Sequence, residues 1–200
     1  MKHQVVTTSV RIWDVPVRVV HWAMVVLVAL AWWTVRNGYM AWHYRFGFAL
    51  LGLLVFRLIW GFAGSSTARF RSFVRGPRGV LEYVRGSRNH GHGHNPLGAL
   101  SILALLGDLA IQVGTGLFAS NRSGSKAGPF ADLISQSAAH AVTAIHQANF
   151  NVLLALIGLH VVAALYFLLA RGQNLIVLMF TGRHHAPAGT PALRTAPALT

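Results

Sequence analysis

The 200-residue chain contains no cysteine. Disulfides, covalently attached c-type haem and thiolate-held iron–sulfur clusters are therefore excluded, and any prosthetic group must be held by packing and axial ligation. Acids are almost as scarce: Asp14, Glu82, Asp108 and Asp132 are the only four. Charged residues make up 10% of the chain, against about 25% in an ordinary soluble domain. That is too little charge to cover a water-facing surface, so the composition predicts an integral membrane protein. No internal repeat is visible.

What the chain has instead is apolar residues (54%) and 17 cations, for a formal charge of +13. The cations sit between apolar runs and form no single face, which argues against nucleic acid as a partner and points to membrane lipids. Four runs are long enough to cross about 30 Å of hydrocarbon, at roughly 19–35, 41–62, 97–119 and 147–170. The first is too long for a secretory signal core, and Trp32 and Trp33 stand where small cleavage-site residues would be needed, so it reads as a retained helix. Arg36-Asn37-Gly38 reads as a tight hairpin between the first two spans. A polar Gly- and Arg-rich loop leads to the third span, and the Asn121–Pro129 turn cluster leads to the fourth, whose helix is expected to begin before the membrane, near Leu133. Residues 1–182 are read as one four-helix domain, and 183–200 as a disordered Pro/Ala-rich tail.

Cation placement orients the spans. Lys2, Arg11 and Arg18, then Arg69, Arg71, Arg75, Arg78, Arg85 and Arg88, then Arg171, Arg183 and Arg194 give twelve on one side; Arg36, Arg45, Arg122 and Lys126 give four on the other. Both termini and the middle loop are therefore expected in the cytoplasm. The six tryptophans, Trp13, Trp22, Trp32, Trp33, Trp42 and Trp60, fall near span ends, as an aromatic belt requires.

Four histidines stand at or within the spans: His21, His43, His146 and His160. The last two are fourteen residues apart on one predicted helix, which brings both to nearly the same face about 21 Å apart along the axis. Depth then pairs His21 with His160, and His43 with His146. Two opposed imidazole pairs are what two bis-histidine haems require. Ionisable residues inside a membrane are expensive and mark function, and four matched in depth are poorly explained as isolated helix–helix hydrogen bonds. His140 lies about 200° round the helix from His160 and is left as a satisfied or interfacial histidine. His90, His92 and His94 alternate with glycine and lack carboxylate neighbours, so they read as a solvated loop rather than a metal site.

Other residues leave alternatives open. Gly47, Gly52, Gly107, Gly114, Gly116 and Gly158 suit either close helix packing or clearance for a flat porphyrin. Arg57, fourteen residues after His43, could meet a haem propionate or snorkel to headgroups. Asp108 could pair with Arg57, remain protonated, or handle protons at a quinone site.

Several motifs together resemble the bacterial cytochrome b561 and Ni/Fe-hydrogenase b-type cytochrome family, from about Trp13 to Gly182. They are Trp13-Asp14-Val15-Pro16-Val17-Arg18-Val19-Val20-His21-Trp22, Arg57-Leu-Ile-Trp60-Gly61-Phe62 with Ala68-Arg69-Phe70, Gly93-His94-Asn95-Pro96-Leu97-Gly98-Ala99, Gln112-Val-Gly-Thr115-Gly116, Gly128-Pro129-Phe130, Asn174-Leu175-Ile176 and Met179-Phe-Thr-Gly182. The resemblance implies an all-α, four-helix inner-membrane subunit with two haem b groups, ligated by His21, His43, His146 and His160. It also implies electron exchange between the quinone pool and a redox partner such as a c-type cytochrome or a hydrogenase. Gln147 stands where the family often has Glu, which removes a carboxylate that could carry protons.

The reading is thus transmembrane electron transfer between two haems. Two rivals stand beside it. One is a quinone-linked oxidoreductase for a small oxidant such as superoxide, which needs a basic patch built from Arg36, Arg45, Arg122 and Lys126. The other is a haem-free transporter or scaffold. The direction of flow, the partner and whether the chain forms a homodimer are left open.

Overall fold

In the computed structural model of the chain, residues 7–11, 13–74, 96–121 and 127–187 are described. They form α1 (Val15–Arg36), α2 (Met40–Ala63), α3 (Phe70–Phe73), α4 (Pro96–Phe118), α5 (Gln136–Arg171) and α6 (Leu175–Thr181), with strands β1 (Thr7–Arg11) and β2 (Arg183–Pro187). Helices α1, α2 and α5, and the Gly98–Phe118 part of α4, are each long and apolar enough to cross a membrane. The all-helical, four-span class expected from the run lengths is what the structure has.

The chain divides into two compact units. One holds Trp22–Phe56 and Leu100–Val161 and contains a length of every spanning helix. Its core is Ala31 on α1, Leu50 and Leu54 on α2, Leu109 and Val113 on α4, and Leu153 on α5. The two pairs spaced by four residues lie one turn apart on one stripe of their helices. Valines and leucines on the other faces, among them Val25, Val26, Val152, Leu154 and Leu159, are exposed. A bundle that is apolar outside as well as inside is what lipid requires of a spanning segment.

The hairpin between α1 and α2 forms where the sequence places it. Gly38 adopts φ +80°, the left-handed conformation that glycine reaches without a Cβ clash. Tyr39 N–H then donates to the Thr34 carbonyl at 2.8 Å and Gly38 N–H to that of Val35 at 3.3 Å, satisfying carbonyls the helix end would leave bare. Before α5, Ala131–Leu133 forms a single 3₁₀ turn, and the helix itself starts at Gln136 rather than near Leu133. Ser135 sets that start, its Oγ accepting from Ala138 N–H at 3.2 Å. The segment ahead of it folds back on α4, with Gly128 N–H on the Ala119 carbonyl at 2.7 Å and Phe130 N–H on that of Leu117 at 2.9 Å. A Cβ at Gly128 would strike the Gly116 and Leu117 backbone, so only glycine fits there.

The other unit comprises Met1–His21, Arg57–Ala99 and Val162–Thr200. Asp14 organises it. Its Oδ1 accepts from Val17 N–H at 2.9 Å, capping α1, while Oδ2 accepts from Trp60 Nε1 at 2.9 Å and from Ser65 Oγ. One carboxylate therefore fastens the start of α1 to the end of α2. Helix α6 has its own cap signals: Asn174 Oδ1 accepts from Val177 N–H at 2.9 Å, and Gly182 closes it at φ +71°. Arg18 Nη1 donates to the Phe180 carbonyl. Strands β1 and β2 pair antiparallel, with Thr7 opposite Pro187 and Arg11 opposite Arg183. The expectation of a structureless tail from residue 183 is corrected here: its first five residues find a partner strand near the N-terminus, and backbone pairing needs no apolar composition.

Candidate functional site

His43 lies in the first turn of α2 and His146 in the middle of α5, both in the unit built on Trp22–Phe56 and Leu100–Val161. Their ring centres are 6.3 Å apart with the planes at 90°. Each ring is oriented by a main-chain oxygen. His43 Nδ1 is 2.9 Å from the Ala31 carbonyl on α1, and His146 Nδ1 is 2.9 Å from the Gln112 carbonyl on α4. A carbonyl can only accept, so Nδ1 carries the proton in both rings and Nε2 carries the lone pair, which at His146 faces the Gln112 amide nitrogen at 3.2 Å.

The spacing matches a specific geometry. Two imidazoles on opposite sides of one metal ion, each bonded at about 2 Å, bring their ring centres to about 6 Å apart. Space is made for the rings as well. A Cβ added at Gly116 would come within 3.0 Å of His146 Cε1, so that glycine gives the imidazole its room. Gly47, Gly52, Gly107, Gly114 and Gly158 meet nothing within 4 Å of an added Cβ. Of these, Gly47 and Gly114 are half-buried.

A polar cluster backs His146. Thr115 Oγ1 is 3.2 Å from His146 Nδ1, and Gln112 Nε2 is 3.2 Å from Nε2 and 3.4 Å from Nδ1. Behind Gln112 stands Asn149, and behind Asn149 the carboxyl group of Asp108, which is 8% exposed. Thr34 Oγ1 shares its proton between the Leu30 carbonyl at 2.7 Å and, at 3.0 Å, the Ala31 carbonyl that His43 uses. On α5, His160 has Ser101 Oγ 3.2 Å from its Nδ1. His21 belongs to the other unit, as does Arg57.

Arg57 is 6% exposed. It lies with its guanidinium 4.9 Å from the centre of the Phe70 ring and donates from Nη1 to the Ala68 carbonyl at 3.4 Å. Asp14 is the acid whose field reaches it. Gln147 is exposed. His140, expected to be satisfied or interfacial, has its Nε2 buried without a hydrogen-bond partner among the described residues. His90, His92 and His94 lie outside the described residues, as do Arg122 and Lys126. Among the described residues no cluster of three metal-binding side chains occurs.

A family model described as prokaryotic cytochrome b561 matches residues 12–182. The chain belongs to that family. No curated protein and no solved structure matches it. Cytochromes b561 of this family bind two haems, so the chain is a haem-binding, membrane-spanning electron-transport protein. Its own residues fit that cofactor: two imidazoles 6.3 Å apart with Nδ1 tied back, and a glycine beside one ring. Family membership also removes the haem-free transporter or scaffold from consideration.

Proposed function

We propose that this cytochrome b561 holds one haem b between His43 and His146 and a second between His21 and His160, and passes electrons between the quinone pool and a redox partner such as a c-type cytochrome or a hydrogenase-like subunit. The facing pair His43 and His146, 6.3 Å apart and each tied through Nδ1 to a carbonyl, is the observation that carries the first site. The second rests on the depth of His21 in the sequence and on the position of His160, fourteen residues beyond His146 on the unbroken α5.

The haems supply one-electron chemistry; the protein supplies ligation, orientation and a low dielectric. The carbonyls of Ala31 and Gln112 strengthen the two imidazoles as donors by drawing on Nδ1–H. The buried Leu50, Leu54, Leu109, Val113 and Leu153 keep water from the space between helices. Arg57, fixed against Phe70, is assigned to a haem propionate. In the bacterial inner membrane the cation distribution places both termini in the cytoplasm.

Two experiments test this. The purified protein in liposomes is mixed with a quinol, and haem reduction is followed with a membrane-impermeant oxidant trapped inside. Quinol-dependent reduction followed by reoxidation from the trapped side supports the reading; haem that quinol never reduces and quinone never oxidises contradicts it. Because the chain has no cysteine, single substitutions at the exposed Asn37 and Arg71 report orientation. An impermeant thiol reagent outside intact spheroplasts should label Asn37→Cys and spare Arg71→Cys; the reverse pattern inverts the topology.

A further inference from the structure

Arg45 lies in the second turn of α2, about 7.5 Å along the axis from the start of that spanning helix, and it is exposed. It shares the outward face of α2 with Phe48 and Val55, both exposed and within about 80° of it round the axis. His43, two residues earlier, lies about 200° away, on the side of the buried Leu50 and Leu54. An arginine on the lipid-facing side of a span is expensive unless its charge reaches a partner at headgroup depth.

The side chain is aimed at that depth. Helical side chains lean toward the N-terminus of their helix, which for α2 is an end of the span. The Arg45 guanidinium accordingly lies over the Trp42 ring, 4.7 Å from its centre, and Trp42 is itself stacked on Phe46 with ring centres 5.6 Å apart. The indole holds one flat face of the guanidinium by cation–π attraction and leaves its edge, with the N–H fork, open. Among the described residues that fork has no carboxylate partner. A planar fork of this kind matches a phosphate, donating to two of its oxygens at once.

The rest of the face identifies what carries the phosphate. A free anion or an acidic peptide would satisfy Arg45 and leave Phe48 and Val55 uncovered. A phospholipid satisfies both, with its phosphate at the fork and its acyl chains along the apolar stripe. We propose that Arg45 and Trp42 form a binding site for one anionic phospholipid, its phosphodiester gripped by the guanidinium and its chains lying along Phe48 and Val55. An arginine without a carboxylate partner selects a headgroup that has no cation of its own, since an ammonium beside the phosphate would meet like charge. Arg36, the last residue of α1, supplies the contrast: it is exposed and has no ring contact among the described residues.

The test is native mass spectrometry of the purified holoprotein, stripped of lipid in detergent. It is titrated with dioleoylphosphatidylglycerol, dioleoylphosphatidylcholine, inorganic phosphate or hexaglutamate. The native protein should take one phosphatidylglycerol about tenfold more tightly than phosphatidylcholine, and Arg45→Gln should erase that preference. Arg45→Lys, which keeps the charge and loses the fork, should fall between the two. Trp42→Leu should weaken binding about threefold, and Trp42→Phe, which keeps a ring face, should retain most of it. Arg36→Gln should change it by less than about twofold. Haem per chain, measured alongside, checks that each variant has assembled; if the Trp42 variants fail to assemble, Arg45→Gln decides. Equal losses in Arg36→Gln and Arg45→Gln would show diffuse surface charge and overturn the site. So would phosphatidylcholine bound as tightly as phosphatidylglycerol, phosphatidylglycerol bound as tightly by Arg45→Gln as by the native protein, or inorganic phosphate or hexaglutamate bound more tightly than the lipid.

Discussion

Asp14 is half-buried and Asp108 buried, and the chain treats them oppositely. Asp14 receives three donors, from the Val17 backbone, the Trp60 indole and the Ser65 hydroxyl. Among the described residues Asp108 receives a donor from Asn149 alone, at 3.4 Å to its carboxylate. A saturated carboxylate is a fastener: it caps a helix and joins two spans. A sparsely paired one contributes little to stability and persists in a membrane only if it acts on something else. The difference assigns the first acid to folding.

Substitution sharpens this contrast most at Asp14. Asp14→Ala removes a helix cap and takes the acceptor from the buried Ser65 hydroxyl and the half-buried Trp60 indole, a loss of about 3 kcal/mol; Asp108→Leu should change stability by less than about 1 kcal/mol, because it exchanges a poorly paired carboxyl for an apolar side chain. Thermal unfolding in detergent would show a large drop in midpoint for the first and a small change for the second. Equal drops would dissolve the distinction.

Next in size is Gly116→Ala, whose Cβ would press on the His146 ring at 3.0 Å. Overpacking of this kind costs about 1–3 kcal/mol. It should appear as a fall in haem occupancy, with excess haem added back restoring it. At Gly47 nothing stands within 4 Å of a new Cβ, so Gly47→Ala should leave the apoprotein as stable as before and weaken haem retention; unchanged retention would show that the clearance serves no porphyrin. The smallest effect is expected at Thr34. Thr34→Val removes one hydroxyl from the Ala31 carbonyl, a change of about 1 kcal/mol, with both haems kept.

The sequence carried the four spans, the Gly38 hairpin and the fourteen-residue interval on α5, because these follow from run length, glycine conformation and helical period. The facing of His43 and His146 also lay within reach of depth arguments. The tether of each ring did not, because Ala31 and Gln112 act through backbone oxygens, which no side-chain pattern announces. The chain from Asp108 through Asn149 and Gln112 to His146 joins residues of two helices in an order only packing sets. Its one visible trace was an acid in an apolar run. Arg57 was equally undecidable until Phe70, thirteen residues away, proved to cover it. Helix α6 was missed although Asn174 and Gly182 bracket it as caps, and β2 was missed because strand pairing across the whole chain leaves no local signature.

The most direct test of the account is haem per chain in His43→Ala, in His146→Ala and in the double variant, each compared with the native protein. If the two imidazoles share one iron, the native protein carries two haems, each single variant one, and the double variant also one, with the same potential in all three. A double variant that loses more haem than either single one, or a single variant that keeps both, contradicts the shared site.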